Sequence, residues 1–168
     1  MKKLLSLLFC LLLSIVASAQ RPYTMTVDGK RATFTSAQVK AYFQKTIRER
    51  LKELNEQFPL QVDEYTTILS AIQLGKSIQF SYRVDIDRTD FTQEEINELL
   101  TLAKEVGKDN MKNLFQSFGN EMPPKEWKRF FVEIGLYYNY IYYDCNDRFF
   151  GRYAIYPKDL DLSTSNNP

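Results

Sequence analysis

The chain has 168 residues, with 22 basic against 21 acidic side chains and no histidine. Such a balance gives no long-range pull toward nucleic acid or anionic lipid. The missing histidine excludes Ser-His-Asp and Cys-His nucleophile arrangements, imidazole general bases, histidine-containing zinc sites and simple histidine pH switching.

The chain opens with Lys2 and Lys3, an apolar run from Leu4 to Ala17, and Ala17-Ser18-Ala19. This pattern reads as a secretory signal peptide over 1–19, and it places the protein in the periplasm or outside a bacterial cell. The run is shorter than the roughly 20 residues a membrane span needs, so no integral membrane segment is expected after cleavage. Phe9 before Cys10 argues against a lipid anchor. Once Cys10 leaves, Cys145 is the remaining thiol, no internal disulfide can form, and a buried or incidental role is expected for it. Residues 20–160 are expected to form a single domain, with 161–168 as a flexible tail.

Tyr23 to Phe34 holds two β-prone runs around Asp28-Gly29, the signature of a tight hairpin with a type I′ turn. Thr35 to Gln38 resembles a capping box, and Val39, Phe43, Ile47, Leu51, Leu54 and Phe58 recur at helical spacing up to Pro59. On the other side of that helix Lys45, Arg48 and Lys52 alternate with acids, which reads as a solvated face. Thr66–Leu74 and Ser77–Ile86 follow as strands around Gly75-Lys76; in the second, Ile78, Phe80, Tyr82, Val84 and Ile86 alternate with Gln79, Ser81, Arg83 and Asp85.

Thr92 to Glu95 forms another capping box. Ile96, Leu99, Leu100, Ala103, Val106, Met111, Leu114, Phe115 and Phe118 then continue a helical stripe that Gly107 is expected to bend or interrupt. Pro123-Pro124 opens a shorter helix through Trp127, Phe130, Phe131 and Ile134, stopped at Gly135. Tyr137–Tyr143, a turn over 144–148 and Phe149–Tyr156 make a third hairpin. The expected fold class is α+β: an antiparallel sheet built from three hairpins, with helices packed on one face.

Little in this chain invites catalysis. Asp85, Asp87 and Asp90 begin like a calcium loop, but Asp90 stands where glycine is needed and Ile96 where glutamate is needed, so no metal is expected. Glu94, Glu95 and Glu98 sit on one amphipathic helix instead of facing each other across a cleft. Scattered glycines form no phosphate loop. No cofactor, no nucleic acid and no catalytic residue are expected.

The tyrosines are the exception. As a strand, Tyr138, Tyr140 and Tyr142 point one way, while Tyr137, Asn139, Ile141 and Tyr143 point the other. Tyr137, Tyr138, Tyr140, Tyr142, Tyr143 and Tyr153, with Tyr82 and Arg83 on the neighbouring strand, are the candidate binding residues, because tyrosine is over-represented at interfaces. A strand packed between covered faces would account for them without any function.

Pro59 to Thr66 (PLQVDEYT), Phe80-Ser81-Tyr82 and Tyr138-Asn139-Tyr140 together resemble small exported bacterial proteins of unassigned function, over about residues 55–157. That resemblance implies an α+β envelope domain and hands over no catalytic residue. The expected function is binding of another macromolecule through the sheet face, with a protein as the expected partner and an inhibitor- or immunity-type role as one form of it. A carrier with an apolar small-ligand pocket between helices and sheet is the alternative, and a carboxylate- or tyrosine-based enzyme comes third.

Overall fold

The computed structural model describes residues 21–117 and 121–162; the expected signal peptide, Phe118, the side chains of Leu114 and Phe115 and the tail from 163 onward lie outside that description. In chain order the elements are β1 (Tyr23–Val27), β2 (Lys30–Phe34), α1 (Ser36–Asn55), β3 (Leu60–Gln61), β4 (Thr66–Leu74) and β5 (Ser77–Val84). They continue with α2 (Gln93–Ser117), α3 (Pro124–Ile134), β6 (Tyr137–Tyr143) and β7 (Phe149–Ile155). No described helix is long and apolar enough to cross a membrane.

Local signals determine the element ends. Asp28 and Gly29 both adopt positive φ, as a type I′ turn requires. Thr35 and Gln38 exchange side-chain and backbone bonds as a capping box at the start of α1. Thr92 and Glu95 do the same before α2: the Thr92 amide donates to Glu95 Oε2 at 2.8 Å and the Glu95 amide to Thr92 Oγ1 at 3.3 Å. Gly135 closes α3 in the left-handed region at φ 68°.

Two expectations about the sheet need correction. The first hairpin forms a separate two-stranded sheet, and the main sheet, ordered β3-β4-β5-β6-β7, is mixed instead of antiparallel. Its β5 and β6 run parallel, Phe80 beside Tyr140 and Tyr82 beside Tyr142. A parallel pair needs a long crossover, and α2 with α3 supplies one by carrying the chain from the end of β5 back to the edge where β5 began. The β4-β5 and β6-β7 pairs are antiparallel.

All three described helices lie on one face of this sheet. Beneath α1 and α3 the core is aromatic: Phe43 meets Phe131 at 5.0 Å and Phe130 at 5.9 Å, and Trp127 lies 5.9 Å from Phe131, with rings edge-on. Tyr23 joins the cluster from β1, edge-on to Phe130 at 5.6 Å. Each fully buried aromatic contributes about 1.5–3 kcal/mol of burial, plus a smaller gain from edge-to-face geometry. Asn55, at the last turn of α1, closes the edge of β4 by donating to Ala71 O at 2.6 Å and accepting from the Ala71 amide at 3.1 Å. Its amide thereby takes the place of a neighbouring strand.

Gly107 does not interrupt its helix; α2 runs unbroken through it. A Cβ there would stand 2.7 Å from Ile155 Cδ1, and one at Gly151 would stand 2.4 Å from Leu100 Cδ1. The two glycines therefore set how closely α2 approaches β7. Packing at that crossing offsets the lower helix propensity of glycine.

Candidate functional site

The aromatic residues of β5, β6 and β7 that point toward the helices form a continuous stack. Tyr82 lies 5.0 Å from Tyr142 and 6.1 Å from Tyr140, and Tyr153 lies 4.9 Å from Tyr140, all within 22° of parallel. Phe80 extends the stack toward Tyr138. This arrangement follows from the register, which puts Phe80, Tyr140 and Tyr153 side by side across three strands. One end of the stack is roofed by α1 and α3, so Tyr138 and Tyr140 are buried. The other end is covered only in part.

Over that end lies a groove of about 390 Å³. Its floor is Tyr82, Tyr140, Tyr142, Phe150 and Tyr153; one wall is Leu99, Leu100, Ala103 and Val106 of α2; the other is Val62, Asp63 and Thr66 around β3 and β4. Three of its apolar lining residues are exposed, Val106 at 62%, Val62 at 49% and Leu99 at 39%, and Leu102, 66% exposed, stands outside the lining but within one turn of Leu99 and Val106 on α2. Large apolar side chains contiguous at that exposure are uncommon on a monomer surface and mark a contact site.

Two hydroxyls of the floor are bonded within the fold. Tyr153 donates to Ala103 O of α2 at 2.9 Å and lies 3.1 Å from the Tyr142 hydroxyl. With its one proton directed at Ala103, Tyr153 accepts from Tyr142. Burial raises the pKa of Tyr82, Tyr140, Tyr142 and Tyr153, and neighbouring phenols add to the rise for all but Tyr142, whose bond to Tyr153 offsets part of it. All four stay neutral at physiological pH. The floor is thus a surface of neutral phenol rings, with the Tyr142 and Tyr153 hydroxyls bonded within the fold.

No protein-family model matches the chain, and no curated protein matches it. Among solved structures the fold is similar to a Pseudomonas aeruginosa protein assigned as secreted, at 11% identity and a TM-score of 0.43 over 66% of this chain and 86% of that one. It is similar to the pilotin EpsS of the Vibrio vulnificus type 2 secretion system, at 9% identity and a TM-score of 0.41 over 66% and 84% of the two chains. The type II secretion pilotin AspS of Vibrio cholerae shares 13% identity and a TM-score of 0.35 over the same shares.

The candidate tyrosines separate into three groups. Tyr138 and Tyr140 are core, although the edge of Tyr140 reaches the groove. Tyr82, Tyr142 and Tyr153 are half-buried on the groove floor. Tyr137 and Tyr143 point to the opposite, uncovered face together with Arg83. Sequence reasoning missed Leu102 and placed Leu99 and Val106 on the helical stripe without saying whether they would be covered; the structure exposes all three. The signal was present in the breadth of the stripe: Leu99, Leu100, Leu102, Ala103 and Val106 cover more of the helix circumference than one packing interface requires.

The acidic loops are structural. Asp144 is buried and accepts from the amides of Arg148 at 2.8 Å, Asn146 at 2.9 Å and Arg88 at 3.1 Å. Burial works against its charge, but these amides and the Arg148 guanidinium outweigh it and hold the carboxyl down at about 2. The same guanidinium pairs with Asp87, tying the β6-β7 turn to the loop before α2. Among the described residues no group of three or more His, Cys, Asp or Glu could hold a metal ion. Cys145, expected to be buried or incidental, is exposed at this turn; burial of its sulfur and the nearby Asp87, Asp144 and Asp85 push its thiol up, away from nucleophilic character.

Proposed function

We propose that the protein is an exported, non-enzymatic binding protein whose groove takes a short amphipathic helix of another protein. The carrying observation is the seam Leu99, Leu102 and Val106. An i, i+3, i+7 set of exposed apolar side chains is one half of a helix-pairing interface, and no described element of the chain provides the other half.

Charge narrows the occupant. No basic residue lines the groove, Asp63 is the charge among its lining residues, and Glu64 and Glu98 are exposed nearby. A partner helix with apolar residues at three- and four-residue spacing and basic flanks complements this rim. The surface responsible is the part of the sheet that the helices cover only in part, with Tyr82, Tyr142 and Tyr153 as its floor. The groove exceeds the roughly 300 Å³ lower bound of small-molecule sites, but such sites enclose 70–90% of their occupant. A trough with a rim this exposed suits a segment of protein better.

The test is site-specific photo-crosslinking in the native host. A benzophenone side chain at Val106 is expected to give one protein adduct, mapped to an apolar helical segment, and Leu102→Glu is expected to remove it. A probe at Lys40, on α1 away from the groove, serves as the control. Equal adducts from both positions, or a Val106 adduct that survives Leu102→Glu, would overturn the reading.

A further inference from the structure

The opposite face of the five-stranded sheet has a different chemistry. Across β3 to β7 there is no aspartate or glutamate, and the charged residues in those strands are Arg83 and Arg152. Register places both on the face that no described helix covers: Arg83 beside Tyr143 and Arg152 beside Ile141. Both are exposed, and neither guanidinium has a hydrogen-bond or ion-pair partner among the described residues. They are two strands and two residues apart, about 12 Å. The nearest acid in sequence, Asp85, lies past the end of β5.

Aromatic rings bracket this pair. At one end of β6, Tyr137 stacks on the exposed Tyr156 at 5.1 Å and 27°. At the other end, Tyr143 sits beside Phe149, which is 53% exposed. Six residue steps along β6 separate the two platforms, about 20 Å. Between them Asn139 donates to Gln79 at 3.4 Å, and the Gln79 NH2 and the Asn139 carbonyl oxygen have no partner among the described residues. A concavity of about 380 Å³ opens over Tyr137, Asn139, Arg152 and Tyr156.

We propose that this face binds an acidic oligosaccharide, a chain of sugar rings carrying carboxylates or sulfates. A sugar ring offers a C–H face, whose positive edge suits the negative face of an aromatic ring, and a rim of hydroxyls that suits side-chain amides. Two unpaired guanidiniums on strands that carry no carboxylate of their own select the acidic members, since each can hold a carboxylate or sulfate in a bidentate pair. A neutral glycan would leave both charges unanswered. A nucleic acid carries a phosphate on every nucleotide and needs a continuous basic groove, which two arginines in a near-neutral chain do not make. The site lies on the other side of the sheet from the helix groove and does not depend on it.

The test is calorimetric titration of the protein lacking residues 1–19 with tetragalacturonate, its fully methyl-esterified neutral form, a heparin tetrasaccharide and an eight-nucleotide oligothymidylate. One or both acidic tetrasaccharides are expected to bind, with the methyl ester at least about tenfold weaker than tetragalacturonate if that is the one that binds. Arg83→Ala, Arg152→Ala and Tyr156→Ala are each expected to weaken binding several-fold with unchanged circular dichroism and thermal midpoint, whereas Leu102→Glu leaves it unchanged. The proposal is overturned if neither acidic tetrasaccharide binds, if the ester binds as well as the acid, if the arginine variants bind normally, or if the oligonucleotide binds more tightly than either glycan.

Discussion

The helix-covered face of the sheet has two halves of similar aromatic content and opposite finish. Beneath α1 and α3, Phe43, Trp127, Phe130 and Phe131 interlock edge-on and are excluded from water. Beside α2, Tyr82 and Tyr142 stack within 17° of parallel, Tyr153 is tilted 31° from Tyr142, and all three are half-buried on the groove floor. Phenylalanine and tryptophan close a core because every atom gains from burial. Tyrosine can sit at the boundary because its hydroxyl is satisfied by Ala103 and by a neighbouring phenol while its ring remains available. Aromatic content alone therefore does not separate core from site; what covers the rings does.

That contrast can be broken at the closed half first. Phe130→Ala should cost about 3–5 kcal/mol, read as a lower urea midpoint at unchanged slope, because it opens a cavity at the centre of the edge-on cluster. The next effect belongs to the crossing that holds α2 against β7. Gly107→Val should cost about 1–3 kcal/mol by overpacking Ile155 and Tyr153, and it should also weaken partner capture by displacing the groove wall, a combined loss that equilibrium unfolding and crosslinking would detect together.

A pH-gated effect comes from the loops flanking the groove. Folding holds the Asp144 carboxyl at about 2, below its ordinary value of 3.8. Asp87 is lowered by its bonds from Thr89 and by Arg148, and Glu95 by the Thr92 amide and hydroxyl. A depressed carboxylate stabilises the fold fully above its unfolded pKa, and that contribution fades as pH drops through the folded value. Stability should therefore hold above about pH 5 and fall between about pH 4 and 2. Asp144→Asn should be less stable at neutral pH and lose less in that acid window, as urea midpoints at several pH values would show.

The smallest expected change in stability sharpens the contrast most. Leu102→Glu should alter the unfolding free energy by no more than about 0.5 kcal/mol, because the side chain is already in solvent, while abolishing the Val106 crosslink. A large loss of stability in this variant would mean that the rim belongs to the core after all.

Much of the architecture was legible in the chain. The Asp28-Gly29 turn, both capping boxes, the Pro124 helix start and the Gly135 stop were readable because each depends on groups no more than four residues apart. The two-residue alternation of β6 correctly separated Tyr138 and Tyr140 from Tyr137 and Tyr143. The groove was not readable. The apolar positions of α2 were visible, but which of them would be covered was not, since that depends on the angle at which α2 meets β7.

By itself, then, the sequence determined the elements, their ends and the faces of each strand, through short-range sterics, capping and periodicity. Tertiary structure alone decided that β6 would join β5 in parallel, that Gly107 would serve close packing instead of a helix break, and that Leu99, Leu102 and Val106 would face outward. The physical reason is distance along the chain. Those outcomes rest on contacts between segments about fifty residues apart, where excluded volume at Gly107 and Gly151 seats α2 over β7 and leaves its remaining apolar seam with no partner among the described residues.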